Sequence, residues 1–176
     1  NKIYYHQGDT NDTAVGETLD LPGKIGQVYL SEKYDKTNKL FYKNFQRWGN
    51  VTLGTDCNLV QLSQVVNSIY DGNTGYKSNA EQYIYDTFGN LTQSTSLGEI
   101  SASTLGEITG DIGSDKFTTS IAYAQDSKKI LTLPALETVK DQNSVTIKET
   151  KNIYDGLSLY SATKGNLTQQ SFWQSG

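Results

Sequence analysis

Apolar and polar residues alternate over much of this chain, and a period of two is the signature of strands that bury one face and leave the other wet. In Phe117-Thr118-Thr119-Ser120-Ile121-Ala122-Tyr123 every large apolar side chain falls on an odd position. The same period runs through Ser144-Val145-Thr146-Ile147-Lys148 and around Val28, Leu30 and Tyr34. The stretch from Asp56 to Tyr70 is ambiguous, because Leu59, Leu62, Val66 and Ile69 also form a helical stripe. A strand is the better reading there, since period two places Val60, Leu62, Val66 and Tyr70 on one face and the run closes on Tyr70-Asp71-Gly72. The pattern predicts an all-β chain of antiparallel strands with at most one short helix, near Leu59 to Ile69.

Turn chemistry punctuates these strands. In Tyr83-Ile84-Tyr85-Asp86-Thr87-Phe88-Gly89-Asn90-Leu91-Thr92 a strand ends on Tyr85, and Asp86 can start a turn by accepting backbone hydrogen bonds. Two residues bend, and Gly89 supplies the positive φ needed before Asn90 and the return strand, which is a hairpin with a glycine bulge. Tyr34-Asp35-Lys36-Thr37-Asn38 repeats the layout with Asn38 in place of glycine, a residue that tolerates the left-handed region. Gly49-Asn50-Val51-Thr52 keeps the return half, and Tyr154-Asp155 with Gly165-Asn166-Leu167-Thr168 keeps both halves around an insertion. A recurrent unit of this kind is architecture before it is chemistry.

The repeated Tyr-Asp, two variable residues, Gly-Asn, hydrophobic residue and Thr resembles the Rhs/YD-repeat family. The opening Tyr4-Tyr5-His6-Gln7-Gly8-Asp9, followed by Gly16-Glu17 and Lys24-Ile25-Gly26, is similar to a segment of large bacterial proteins of that kind. The resemblance implies successive antiparallel hairpins of YD-repeat type in an extended, curved sheet that builds a hollow shell. Related shells enclose a C-terminal toxin polypeptide, and a similar barrel in teneurins supports adhesion. The expected partners are then other repeats and a C-terminal domain of the same parent chain, and the expected location is secreted or at the cell surface of a bacterium. Irregular repeat spacing and long inserts depart from the simple pattern. The alternative is a carbohydrate-binding or adhesin-like β module that meets glycans or a cell surface through exposed Tyr, Trp48 or Trp173.

Composition narrows the choices further. The 176 residues are 35% hydrophobic, with 12 Tyr and 16 Gly, so strand and turn formers replace helix formers. The chain starts at Asn1 with no Met anywhere and is read as one repeat segment, 1–176, of a longer protein. Residues 94–115 are rich in Ser, Thr and Gly and hold a tandem copy, Leu97-Gly98-Glu99-Ile100 and Leu105-Gly106-Glu107-Ile108, expected to be a duplicated loop or an extra hairpin. No apolar run is long enough for a membrane span. Net charge is −4 and Arg47 is the one arginine among 15 basic residues, which argues against a nucleic-acid partner.

Candidate chemistry is thin. His6 is the one imidazole, so any serine or cysteine triad would have to be built around it, and it reads instead as a surface or turn residue; Cys57 is solitary, so no disulfide can form within the segment. Asp9, Asn11, Thr13, Glu17 and Asp20 have a spacing loosely like a calcium loop, but Ala14 stands where the sharp-turn glycine belongs. The Asn-x-Thr sequons at Asn11, Asn50, Asn90 and Asn166 are mostly the turn motif itself. The sequence therefore predicts no catalytic, cofactor or metal residues, no cofactor and no enzymatic activity.

Overall fold

The computed structural model describes residues 1–8, 20–52, 58–126 and 132–175. Within them the chain is all-β, and the stretch that also fitted a helical stripe is strand β4 (Asn58–Ile69). The strands are β1 (Lys2–Tyr5), β2 (Val28–Tyr34), β3 (Leu40–Thr52), β4, β5 (Lys77–Tyr85), β6 (Leu91–Ala102), β7 (Ile108–Asp111), β8 (Phe117–Tyr123), β9 (Gln125–Asp126), β10 (Pro134–Asp141), β11 (Thr146–Tyr154), β12 (Ser161–Ala162) and β13 (Leu167–Gln174). A single 3-10 turn, Pro22–Lys24, is the one helical element among the described residues.

An 11-stranded antiparallel sheet follows chain order, β1-β2-β3-β4-β5-β6-β8-β10-β11-β13, with β7 on β6. β6 serves two neighbours along its length: Gln93 to Ser96 pair with β8, and Ile100 to Ala102 pair with β7. Strands β9 and β12 make a separate two-stranded parallel pair. Antiparallel pairing of strands that are neighbours in sequence is what tight turns built on Gly, Asn and Asp should give.

The chain divides into two compact units, Asn1–Gln82 with Leu97–Gly113, and Tyr83–Ser96 with Ser114–Gly176. In the first unit, Tyr29, Leu30, Phe45, Val66, Ala80 and Ile100 form the core, with Tyr4, Leu97, Ala102 and Ile108 packed against it. The β6–β7 hairpin thus folds onto the same face as Phe45, and Gly106 sits so close that a Cβ there would lie 2.4 Å from Phe45 Cγ. In the second unit the core is small, made of Ala124, Ala135, Tyr154 and Ala162 with Leu133 and Leu159 against it. The Tyr154 hydroxyl reaches out of that core to the Pro134 carbonyl at 2.9 Å.

Two sequence readings are corrected. Gly49 and Asn50 are not a turn: they lie inside β3, opposite Gln61 and Val60, in a ladder with β4 that runs from Trp48 to Thr52 past a bulge between Arg47 and Trp48. Ser144 and Val145 precede rather than belong to β11, since Ser144 has φ of 65° and closes a turn. Of the two alternatives for residues 94–115, the extra hairpin is the one formed, and the two copies of the tandem tetrapeptide differ: Leu97 to Ile100 are strand, while Leu105 and Gly106 are turn.

Candidate functional site

One hydrogen-bonded turn is built four times. At Asp35, Asp86, Ser103 and Asp141 the first residue donates its N–H to the carbonyl four positions on, over 2.8–3.0 Å. The residue three positions on returns its N–H to the first carbonyl at 3.0–3.1 Å. The side-chain oxygen of the first residue then accepts the N–H groups at the second and fourth positions after it, such as Phe88 and Asn90 for Asp86, both at 2.9 Å. Asp35 holds Thr37 and Lys39, Ser103 holds Leu105 and Glu107, and Asp141 holds Asn143 and Val145 in the same manner. The third position after the first residue always has positive φ: Asn38 63°, Gly89 89°, Gly106 74° and Ser144 65°. Sequence reading missed the Ser103 and Asp141 examples because Ser replaced Asp in one and glycine in the other, although the four-residue spacing was there to find.

Asp155 is a fifth, stretched version. Its N–H still donates to the Asn166 carbonyl, at 2.7 Å, and Gly165 has φ of 81°. Its carboxylate closes the wider gap by accepting the N–H groups of Thr163, Lys164, Gly165 and Asn166. The Lys164 and Thr163 N–H groups hold this carboxyl well below the usual range. A shallow polar cleft of about 360 Å³ lies beside it, lined by Gly156, Thr163, Lys164 and Thr168 among others, but the carboxylate itself is committed to backbone. Asp35 is lowered chiefly by the Lys39 N–H. For Asp86, burial pushes the pKa up, and the Asn90 side chain together with the N–H groups of Asn90, Phe88 and Gly89 outweighs it.

The threonine of the motif also has a task. After the Asp35, Ser103 and Asp141 turns the return strand carries one extra residue, as Tyr34 faces Leu40 while Lys33 faces Tyr42. After Asp155 the extra residue is Thr168, since Tyr154 faces Leu167 and Ile153 faces Gln169. Its hydroxyl donates to the Ile153 carbonyl at 3.0 Å, and Thr92 does the same to Ile84 at 3.1 Å. A bulge leaves backbone groups off the ladder, and the hydroxyl re-engages one of them. The Nδ2 of Asn90 donates to Asp86, and that of Asn50 to Asn58.

The tyrosines before these aspartates have separate roles. Tyr154 is buried as described, Tyr85 is half-buried, and the Tyr34 hydroxyl donates to Glu32 Oε2 at 2.7 Å, which pushes the Tyr34 pKa up to about 12. Glu32 belongs to a polar row across five strands: Lys2, Glu32, Lys43, Ser68 and Ser78 are successive cross-strand partners. Lys43 Nζ lies 3.1 Å from Glu32 Oε1, Tyr4 adds a second phenol, and the Ser68 and Ser78 hydroxyls bond each other at 2.8 Å. Burial pushes Glu32 up, yet Tyr34 and Lys43 keep it below the usual glutamate range. Glu32, Ser68 and Ser78 are buried within this row, and each has a hydrogen-bond partner there.

His6 is not at the surface. Its ring packs on Tyr29 with centroids 5.2 Å apart, and Nδ1 lies 3.2 Å from Asp20 Oδ1, both side chains being 0% exposed. Asp20 Oδ2 accepts the N–H groups of Gln7 and Gly8, each at 2.8 Å, and Lys24 is buried beside them. Burial, opposed by Asp20 and helped by Lys24, lowers the His6 pKa. Spacing could not announce this cluster, because it forms only when β1 and the Pro22 turn meet. Enclosed in this way, His6 and Asp20 tie the end of β1 to the Pro22 turn. Asp9, Asn11, Thr13, Glu17 and Cys57 lie outside the described residues. Among the described residues no group of three or more His, Cys, Asp or Glu converges on a metal-sized space, and no helix is long and apolar enough to cross a membrane.

Comparison with family models, curated proteins and solved structures finds no match for this chain.

Proposed function

We propose that this chain is a non-catalytic wall: a YD-repeat-like segment whose successive hairpins form part of a curved shell around, or in support of, another stretch of polypeptide in a secreted or surface-exposed bacterial protein. The observation that carries the reading is the turn built four times with one hydrogen-bond scheme, plus the stretched copy at Asp155. Such a unit propagates a sheet of neighbouring strands, and the carboxylates of Asp35, Asp86 and Asp155, each held below the usual range, accept backbone amides within it. A wall acts through continuous backbone pairing, so single polar substitutions should leave function intact while loss of one hairpin should not.

The test is protease protection of the polypeptide that the chain accompanies in its parent protein. Deletion of Tyr83 to Thr92 should abolish protection, whereas Asp86→Ala and His6→Ala should retain it under conditions where both variants are folded. Protection unchanged by the deletion would refute the wall, and activity lost with protection intact in a folded Ala variant would place chemistry here.

A glycan-binding module is the second reading, favoured by an amide chain on the open face of the first unit. Gln46 donates to Asn44, Asn44 to Asn67 and Asn67 to Asn79, with the Tyr42 hydroxyl on Asn67. Pre-oriented amides beside a phenol suit neutral hydroxyl-rich ligands, whereas Trp48 is tied by its Nε1–H to the Val28 carbonyl. A glycan array on wild type and Asn67→Ala discriminates the two readings.

A further inference from the structure

Two tyrosines meet across the connection between β4 and β5. Tyr70 directly follows β4 and Tyr76 directly precedes β5, with residues 71–75 turning between them. Their ring centroids lie 4.7 Å apart with the planes 33° from parallel, closer than Tyr4 and Tyr29 at 6.1 Å. Both residues are held in place from outside the pair. The Tyr70 N–H donates to the Phe41 carbonyl at 2.8 Å, and the Tyr70 carbonyl accepts the Asn73 N–H at 2.8 Å. The Tyr76 hydroxyl donates to the Ala102 carbonyl at 2.8 Å. Tyr70 is buried and Tyr76 half-buried.

Packing accounts for the two rings but not for the phenol at Tyr70. A buried tyrosine ordinarily finds a hydrogen-bond partner for its hydroxyl, and among the described residues the Tyr70 hydroxyl has none. A phenylalanine would fill that place equally well. The turn between the rings is also a costly one, since Asp71 has φ of 49° and Gly72 of 75°, and a residue other than glycine is uncommon at positive φ. Cys57 is solitary, so a disulfide within the chain cannot fasten this or any other turn.

We propose that Tyr70 and Tyr76 are an oxidative cross-linking site, at which a peroxidase-class oxidant joins the two rings as an intramolecular dityrosine that staples the β4–β5 turn. Each phenol gives up one electron and its hydroxyl proton. The two radicals form a carbon–carbon bond between the ring positions next to the hydroxyls, and each of those carbons returns its hydrogen, as a proton, to its own phenol oxygen. Two electrons and two protons leave in all, and they reduce one hydrogen peroxide to two waters. Rings already held in contact couple in an effectively unimolecular step, so this product outruns coupling between molecules through the exposed Tyr5 and Tyr160. The secreted or surface location proposed above supplies the oxidising surroundings.

Treating the dilute protein with hydrogen peroxide and a haem peroxidase should give blue dityrosine fluorescence in a monomer lighter by two hydrogens. After denaturation, cleavage on the N-terminal side of Asp71 should leave the two flanking segments joined. Tyr70→Phe and Tyr76→Phe each keep a ring and remove one phenol, and each should lower the yield of this monomeric product at least about tenfold. Tyr70→Phe leaves the Tyr76 bond to Ala102 in place, so a folding defect in the other variant does not decide the outcome. Tyr5→Phe should leave the yield unchanged, and the cross-linked protein should unfold at a higher urea concentration than the untreated one. Absence of dityrosine, only intermolecular product, a yield unaffected by Tyr70→Phe, segments that separate on cleavage at Asp71, or a urea midpoint no higher than before would each overturn the proposal.

Discussion

Replacing Gly106 by Ala separates backbone strain from packing. Gly106 has φ of 74°, and a Cβ there would lie 2.4 Å from Phe45 Cγ and 2.7 Å from Phe45 Cβ. These atoms sit at the root of a core side chain and cannot swing away. Left-handed strain costs about 1–2 kcal/mol, and forcing a methyl into a packed contact adds about 1–3 kcal/mol, so Gly106→Ala should lose roughly 2–5 kcal/mol. Gly26 supplies the strain alone, with φ of 82° and nothing within 4 Å, so Gly26→Ala should lose only about 1 kcal/mol. Gly75 has neither feature, and Ala there should be neutral or slightly stabilising. Urea unfolding followed by Tyr and Trp fluorescence measures all three, as midpoint shifts at constant slope. If Gly106→Ala were no worse than Gly26→Ala, the β6–β7 hairpin would not rest on Phe45, and the core of the first unit would be wrongly placed.

Other expectations follow from the turns and the buried clusters. Gly89→Val should destabilise by about 1–2 kcal/mol through strain at φ of 89°, with Gly89→Asn milder, as read by melting temperature. Thr92→Val and Thr168→Val should each lose about 0.5–1.5 kcal/mol, because the Ile84 and Ile153 carbonyls lose their hydroxyl partners. Stability should fall with acid in two windows. His6 has a lowered folded pKa, so its contribution is complete above the ordinary value of 6.5 and declines as pH drops below it. Asp35, Asp86 and Asp155 are lowered carboxylates, whose contribution holds above 3.8 and is lost as pH falls further. Melting curves from pH 7 to about pH 2 should lose the first window in His6→Asn and keep the second.

Local chemistry was legible in the sequence wherever a single residue type carries the geometry. Gly89 and Asn38 announced left-handed positions, Asp35 and Asp86 announced amide-binding carboxylates, and the closing Tyr70-Asp71-Gly72 turn favoured β4 as a strand where periodicity was ambiguous. These features are decided within a few residues, so neighbours along the chain suffice to predict them. The same rule hid the Asp141 turn, since Ser144 at φ of 65° is an unfavoured residue held there by the closing bonds of the hairpin. Tertiary structure alone decided that Gly49-Asn50 runs through a long ladder, that Leu97 to Ile100 and Leu105 to Ile108 diverge despite identical sequence, and that His6, Asp20 and Lys24 are buried together. Each depends on which distant strand or turn arrives alongside. A tetrapeptide copy can be strand or turn according to whether the Ser103 hydroxyl is there to gather its N–H groups, and a lone histidine becomes a core residue once Asp20 meets it at 3.2 Å.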